Sequence, residues 1–470
     1  MKKLFLAIIA GLTMLSCRNN HDLLFITSTN TEKWVESGDF SLKEYKTGDQ
    51  TTVIIDTMKK EQIVNGFGGC LNELGWDALS IIDSVSKDQI LKGFFLPGAG
   101  LHLNYCRLPI GANDYARDWY SLDDSINDFE MKYFNISRDK QVLIPYIQKV
   151  MKYNPEITFW GSPWCPPAWM KKNKHYACYP DKVNDLTEQG RGKEGTDQFV
   201  QDKKYLDAYA MYFTKYIEAY QKEGVKISAI HVQNEPSSCQ NFPCCVWTAK
   251  SLNNFIGNYL GPEFEKQQVN TEIWLGTIER PFVEKVDTVL QDERSKKYVK
   301  GVGFQWAGKD AIPGVHKKYP GIQLMQTESE CGDGSNDWKA AQHTWDLMKH
   351  YFNNGVSVYM YWNLVLDETG KSRWGWKQNS LITINTKTRE IIYNPEYYLF
   401  MHLSHFIKPG ARELSVSGTF NDILAFKNKD GKTIVIIQNA GQKEMDLSVK
   451  ISNKLIQLRL KPLSFNTLVI

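Results

Sequence analysis

The chain has 470 residues, 42% hydrophobic and 23% charged, with 33 glycines and 17 prolines, which excludes collagen-like and compositionally disordered classes. Its 56 lysines and arginines stand against 53 acids, and a formal charge of +3 is too small to mark a nucleic-acid surface. The length predicts two to four domains, or one large domain with a smaller companion.

Lys2 and Lys3 precede an apolar run from Leu4 to Leu15, followed by Ser16 and Cys17. That is the layout of a signal peptide, too short for an ordinary spanning helix. Met14-Leu15-Ser16-Cys17 resembles a bacterial lipoprotein processing site. The resemblance implies a signal over 1–16, acylation at Cys17 and a polar tether over 17–21. With Arg18 next, it also implies an outer-membrane lipoprotein, periplasmic or surface-facing. Removing 1–16 takes away Lys2 and Lys3 and leaves a formal charge of +1. No later run of eighteen apolar residues follows, so the lipid is the one expected membrane contact. Eight further cysteines lack any Cys-x-x-Cys pair and any zinc-ligand spacing, so no metal is expected. An oxidising compartment would permit bridges within 239–245 or between Cys165 and Cys178.

Eight apolar runs follow in chain order: 63–68, 101–108, 157–161, 227–233, 271–276, 298–305, 321–327 and 356–363. The segments between them are long enough for helices, notably 139–152 and 202–223. In the second, Tyr205, Tyr209, Tyr212, Phe213, Tyr216 and Tyr220 form an aromatic stripe near helical spacing, a face to bury against a sheet. Strands alternating with helices predict a parallel sheet, and eight such repeats predict a closed (β/α)8 barrel over 58–381. The polar stretch 171–200 is expected to be a long loop at the barrel's C-terminal face, closing one side of a pocket or bordering a cleft. After 382 the apolar runs shorten and turn formers intervene, as at Asp430-Gly431. This predicts an antiparallel β-sandwich over 382–470, completed by strand-like residues 22–57.

Ile230-His231-Val232-Gln233-Asn234-Glu235-Pro236 runs an apolar strand directly into Asn-Glu-Pro, placing Glu235 at the C-terminal rim of the fourth strand. Gln326-Thr327-Glu328-Ser329-Glu330 places a second carboxylate at the end of the seventh. The two strands lie on roughly opposing sides of an eight-stranded barrel. Paired carboxylates suit acetal hydrolysis, one protonating the leaving oxygen while the other stays ionised to attack. Dinucleotide, phosphate-loop and His-Glu-x-x-His motifs are absent, so no cofactor is expected.

The sequence resembles glycoside hydrolase family 30. The resemblance rests on Gly66-Phe67-Gly68-Gly69-Cys70, Arg107-Leu108-Pro109-Ile110, Gly161-Ser162-Pro163-Trp164, Asn234-Glu235-Pro236, Gln326-Thr327-Glu328 and Tyr361-Trp362-Asn363-Leu364. It implies a retaining barrel enzyme with a sandwich built from both termini. It also implies Glu235 as acid/base, Glu328 rather than Glu330 as nucleophile, and Arg107 as support for the carboxylates. Asp114, Trp164, Asn234, Gln305, Trp306, Trp362 and Asn363 are implied as sugar contacts, with Trp164 and Trp362 as walls or floor. Where glucosylceramidases of the family carry His-Trp-Tyr, this chain has Gln305-Trp306-Ala307. The expected partner is a β-linked oligo- or polysaccharide, β-1,6-glucan foremost. Xylan, β-xylosides and β-fucosides are the alternatives within the family, and sugar binding without hydrolysis is the reading from a different class.

Overall fold

The computed structural model describes residues 23–470, so the expected signal over 1–16, Cys17 and the tether over 17–21 lie outside the described residues. Eight parallel strands close into a barrel: β1 (Gly66–Cys70), β2 (Tyr105–Pro109), β3 (Thr158–Ser162), β4 (Ile227–His231), β5 (Glu272–Ile278), β6 (Val299–Gln305), β7 (Gln323–Glu328) and β8 (Val356–Asn363). Closure is made by β8 on β1, where Val358 pairs with Gly66 and Tyr359 with Phe67. β8 is buried along its whole length, which is why these strands read as continuous apolar runs rather than alternating ones. Gly68 allows the tight approach of β1 to its neighbours, since a Cβ there would lie 2.2 Å from the Tyr105 carbonyl oxygen.

Helices α1 (Glu73–Ile81), α2 (Leu143–Tyr153), α3 (Lys203–Lys222) and α4 (Trp338–Phe352) are among those that surround the barrel. In α3 the residues Tyr209, Tyr212, Phe213, Tyr216 and Tyr220 are buried in the core, and Gly224, at φ 79°, turns the chain toward β4. No helix among the described residues is long and apolar enough to cross a membrane.

The second domain is a β-sandwich whose ten strands form one continuous hydrogen-bonded order. Leu24–Thr29 pairs antiparallel with Ser464–Val469, so both ends of the described chain meet in one sheet. All pairings in this sheet are antiparallel except Val53–Val64 on Met445–Ile451. Its core gathers Phe25, Val53, Ile55, Val435, Val449 and Leu468. His402, buried on the helix Pro395–Ser404, shares hydrogen bonds with Thr467 Oγ1 at 2.8 Å and Ser28 Oγ at 2.9 Å, tying that helix to both terminal strands.

Two boundaries differ from those expected. The run at 63–68 is not one strand: Val53–Val64 belongs to the sandwich and β1 begins at Gly66, so the sandwich strand passes the expected limit at 57. At the other end, Ile382–Ile384 joins a small three-stranded sheet with Val365–Asp367 and Ile391–Tyr393, and the sandwich resumes only at Ala411. Hydrophobicity marks a strand but does not say which sheet it joins. No bridge forms within 239–245 or between Cys165 and Cys178: all eight cysteines of the described residues are free.

Candidate active site

The C-terminal rim of the barrel opens into a cavity of about 630 Å³ lined by Asp114, Trp164, Asn234, Glu235, Trp306 and Glu328, among others. Glu328 is the last residue of β7, whereas Glu235 lies beyond β4 on a turn. Glu235 has φ 47° and Trp306 likewise φ 47°, both in the left-handed region that costs a non-glycine residue about 1–2 kcal/mol. Tertiary contacts hold the first of these: the Glu235 backbone N–H donates to Thr277 Oγ1 at 3.3 Å and Asn234 N–H to the Pro163 carbonyl at 2.8 Å.

Arg107, buried on β2, organises the floor. Its Nη1 donates to Glu328 Oε2 at 2.8 Å and to the Thr327 carbonyl at 3.2 Å, its Nη2 to Asn234 Oδ1 at 2.6 Å and its Nε to Ser162 Oγ at 3.1 Å. The guanidinium carbon lies 4.3 Å from the Trp164 ring centre and 5.1 Å from that of Trp362. Gln305 bridges the two carboxylates. Its Nε2 is 3.2 Å from Glu235 Oε1 and 3.3 Å from Glu328 Oε2, while its Oε1 accepts from Thr327 Oγ1 at 2.9 Å. Trp306 Nε1 donates to the second Glu328 oxygen at 3.3 Å.

The two glutamates therefore sit in different electrostatic surroundings. Burial, then the charge of Glu328, pushes Glu235 up to about 7. Burial also raises Glu328, but Arg107, Trp306 and Gln305 pull the other way by stabilising its anion. Asp114 is raised well above the carboxylate range, by burial first and then by both glutamates, and its Oδ1 has no hydrogen-bond partner.

Not every expected contact reaches the cavity. Trp164 lines it and packs, its ring tilted by 33°, at 5.2 Å from that of Trp362, which is fully buried and does not line it. Asn363 is also buried, and both ends of its amide are engaged: Nδ2 donates to Gln378 Oε1 and Oδ1 accepts from Asn72 Nδ2, each at 3.0 Å. Its place is a brace between β8 and the cap of α1 rather than a sugar contact. Gln305 and Arg107 likewise act from below the lining. Glu330 turns to Lys309 at 2.7 Å and His343 at 3.0 Å, which hold its carboxyl below the usual range. His231 is packed in the barrel interior against Trp160 and Trp274.

The long loop 171–200 contributes no lining residue. It braces the segment 238–246, with Cys178 N–H on the Gln240 carbonyl at 2.9 Å and Gln198 N–H on that of Val246 at 2.9 Å, and that segment supplies Ser238, Gln240 and Phe242 to the wall. Trp376 packs on Phe242 at 4.8 Å on the same wall. Sequence reading passed over Glu279, which directly follows β5 and lines the cavity. Its position, a carboxylate just past a barrel strand, is the same signal that singled out Glu235 and Glu328.

A glycosyl hydrolase family 30 TIM-barrel domain is matched over residues 64–407, and a glycosyl hydrolase family 30 β-sandwich domain over 410–468. A putative glucosylceramidase 1 from Caenorhabditis elegans is 31% identical, covering 82% of this chain and 76% of its own. Among solved structures, SrfJ from Salmonella typhimurium superposes with a TM-score of 0.85 at 23% identity, covering 95% of this chain and 99% of that one. An endo-β-1,6-glucanase superposes with a TM-score of 0.80 at 23% identity, covering 95% and 98%.

Proposed function

The chain belongs to glycosyl hydrolase family 30 and is a glycoside hydrolase, and from that premise we propose that it cleaves β-linked glucosides with retention, Glu235 serving as acid/base and Glu328 as nucleophile. The observation that carries the reading is the single Gln305 amide nitrogen within 3.3 Å of both carboxylates. Their nearest oxygens are thus separated by no more than two hydrogen-bond lengths. That limit, about 6.5 Å, admits the about 5–5.5 Å separation of carboxyl groups in direct attack and only touches the lower edge of the roughly 6.5–9.5 Å that makes room for an inverting water.

In the first step Glu328, kept anionic by Arg107, attacks the anomeric carbon as the bond to the leaving oxygen breaks, and that oxygen takes the proton of Glu235. A carboxyl at about 7 still holds its proton near neutrality, as the step requires. Forming the glycosyl ester consumes the charge of Glu328, which is one of the causes raising Glu235. Glu235, having given its proton to the leaving oxygen, therefore stays a carboxylate and deprotonates the water that attacks the anomeric carbon and frees Glu328. Asn234 has its Oδ1 taken by Arg107, Thr277 and Gln305, which leaves the amide nitrogen as the end that donates to a sugar hydroxyl. The unpartnered Asp114 Oδ1 is an acceptor for another, and Trp164 supplies a flat wall.

β-1,6-Glucan is the leading polymer. The glucosylceramidase and β-1,6-glucanase names of the relatives both point to a β-linked glucose. Time-resolved product analysis on β-1,6-glucan, xylan and aryl β-glucoside, β-xyloside and β-fucoside tests this. Glucose or its oligomers, with the β-anomer released first by NMR, is expected. Activity confined to xylan, or an inverted first product, would overturn it.

A further inference from the structure

Glu279 is a further carboxyl of the cavity, beside Asp114, Glu235, Glu328 and Glu330, and takes no part in the two steps above. It is buried, and its Oε1 accepts from the Ser237 backbone N–H and from Ser238 Oγ, each at 2.8 Å. These two residues follow Glu235 on the same turn, so Glu279 grips the far side of the segment that presents the acid. Its Oε2 has no partner. A buried acceptor left unmet costs about 1–3 kcal/mol, and such groups in native structures call for a reason. Burial, then the charge of Glu235, pushes Glu279 up to about 7, with the Ser238 hydrogen bond and Arg280 opposing; Arg280 itself is engaged by Glu194 at 2.7 Å.

Position around the reacting bond gives Oε2 its meaning. The acid of a retaining pair stands beside the departing oxygen, while the nucleophile approaches the opposite face of the sugar. Glu279 is reached from the Glu235 side through Ser237 and Ser238, and the neighbouring wall carries Gln240, Phe242 and Trp376, a hydrogen-bonding amide beside aromatic faces. We propose that Glu279 is a specificity residue for the leaving group: its free Oε2 accepts a hydroxyl of the departing sugar, so that the site favours a carbohydrate leaving group over a lipid or aryl one. An aryl group or an alkyl chain presents no hydroxyl there. The proposal rests on the assignment of Glu235 as the acid.

The test compares wild type and Glu279→Gln on a β-linked diglucoside and on an aryl β-glucoside with the same glycone. Glutamine keeps an oxygen for Ser237 and Ser238 at unchanged volume but puts an amide nitrogen, a donor, in place of the free acceptor Oε2. The kcat/KM on the diglucoside should fall about tenfold, with the aryl substrate changed by no more than about twofold. Ser238→Ala, which loosens the turn but leaves Oε2, should slow both substrates alike. Equal losses on both substrates in Glu279→Gln would reduce Glu279 to a tether and overturn the proposal. A wild-type enzyme that cleaves neither glucoside would instead refute the glucoside reading, and the same pairwise comparison is then run on the β-xyloside or β-fucoside pair that it does cleave.

Discussion

Replacing Glu328 with glutamine isolates the charge that its partner feels. Glu235 is lifted from the ordinary 4.5 to about 7, by burial first and by Glu328 second. A unit charge about 5 Å away, in a medium of effective dielectric about 20, contributes on the order of 3 kcal/mol, enough alone for a rise of about two pH units. The actual share is smaller, because Arg107 lies 2.8 Å from Glu328 and offsets much of its field, and because burial is the larger cause. Glu328→Gln should therefore bring the Glu235 titration down from about 7 to roughly 6, about 1.4 kcal/mol. Carbon-13 NMR of glutamate labelled at the side-chain carboxyl measures it directly, the Glu235 signal being identified by its loss in Glu235→Gln. The same variant should lose on the order of 10⁴–10⁶ in kcat, as removal of a nucleophile does elsewhere. A Glu235 midpoint that stays or rises would refute the electrostatic coupling, and activity within about tenfold of wild type would refute the nucleophile.

Glu235→Gln should stabilise the fold at alkaline pH. A carboxyl whose folded value of about 7 exceeds its unfolded one loses stability as pH rises between them, so at pH 8 the variant should gain up to about 3 kcal/mol in urea unfolding while hydrolysing poorly activated glycosides far more slowly than activated aryl ones. His402 behaves oppositely: burial lowers it to about 3, so the unfolded chain takes up its proton first as pH falls below 6.5. The stability advantage of wild type over His402→Gln should shrink by about 2 kcal/mol between pH 7 and pH 5, and an advantage that does not change with pH would mean the imidazole is protonated in the fold. Cys17→Ser should release the protein from the membrane fraction, and a variant that stays membrane-bound would reject acylation at Cys17.

The elements of the barrel were legible because strand and helix signals are local. Runs such as 227–233 and 356–363 mark strands by their own hydrophobicity, and the stripe from Tyr209 to Tyr220 marks a buried helical face by its own spacing. Once eight strands are counted, the rule that barrel sites form at the C-terminal strand ends brings Glu235 and Glu328 to one rim without any further geometry. What those neighbours do to each other is decided between residues far apart in the chain. Arg107 meets Glu328 across 221 positions, and Gln305 meets Glu235 across 70. No periodicity records such contacts, because a side chain's partner depends on how strands stagger and loops return. The same reason explains why Asn363 is spent on Asn72 and Gln378, why 63–68 divides between two sheets, and why the loop 171–200 supports the wall without entering it. Residue type and strand position determined which groups are present at the rim; packing at a distance decided which of them keep a free atom for a sugar.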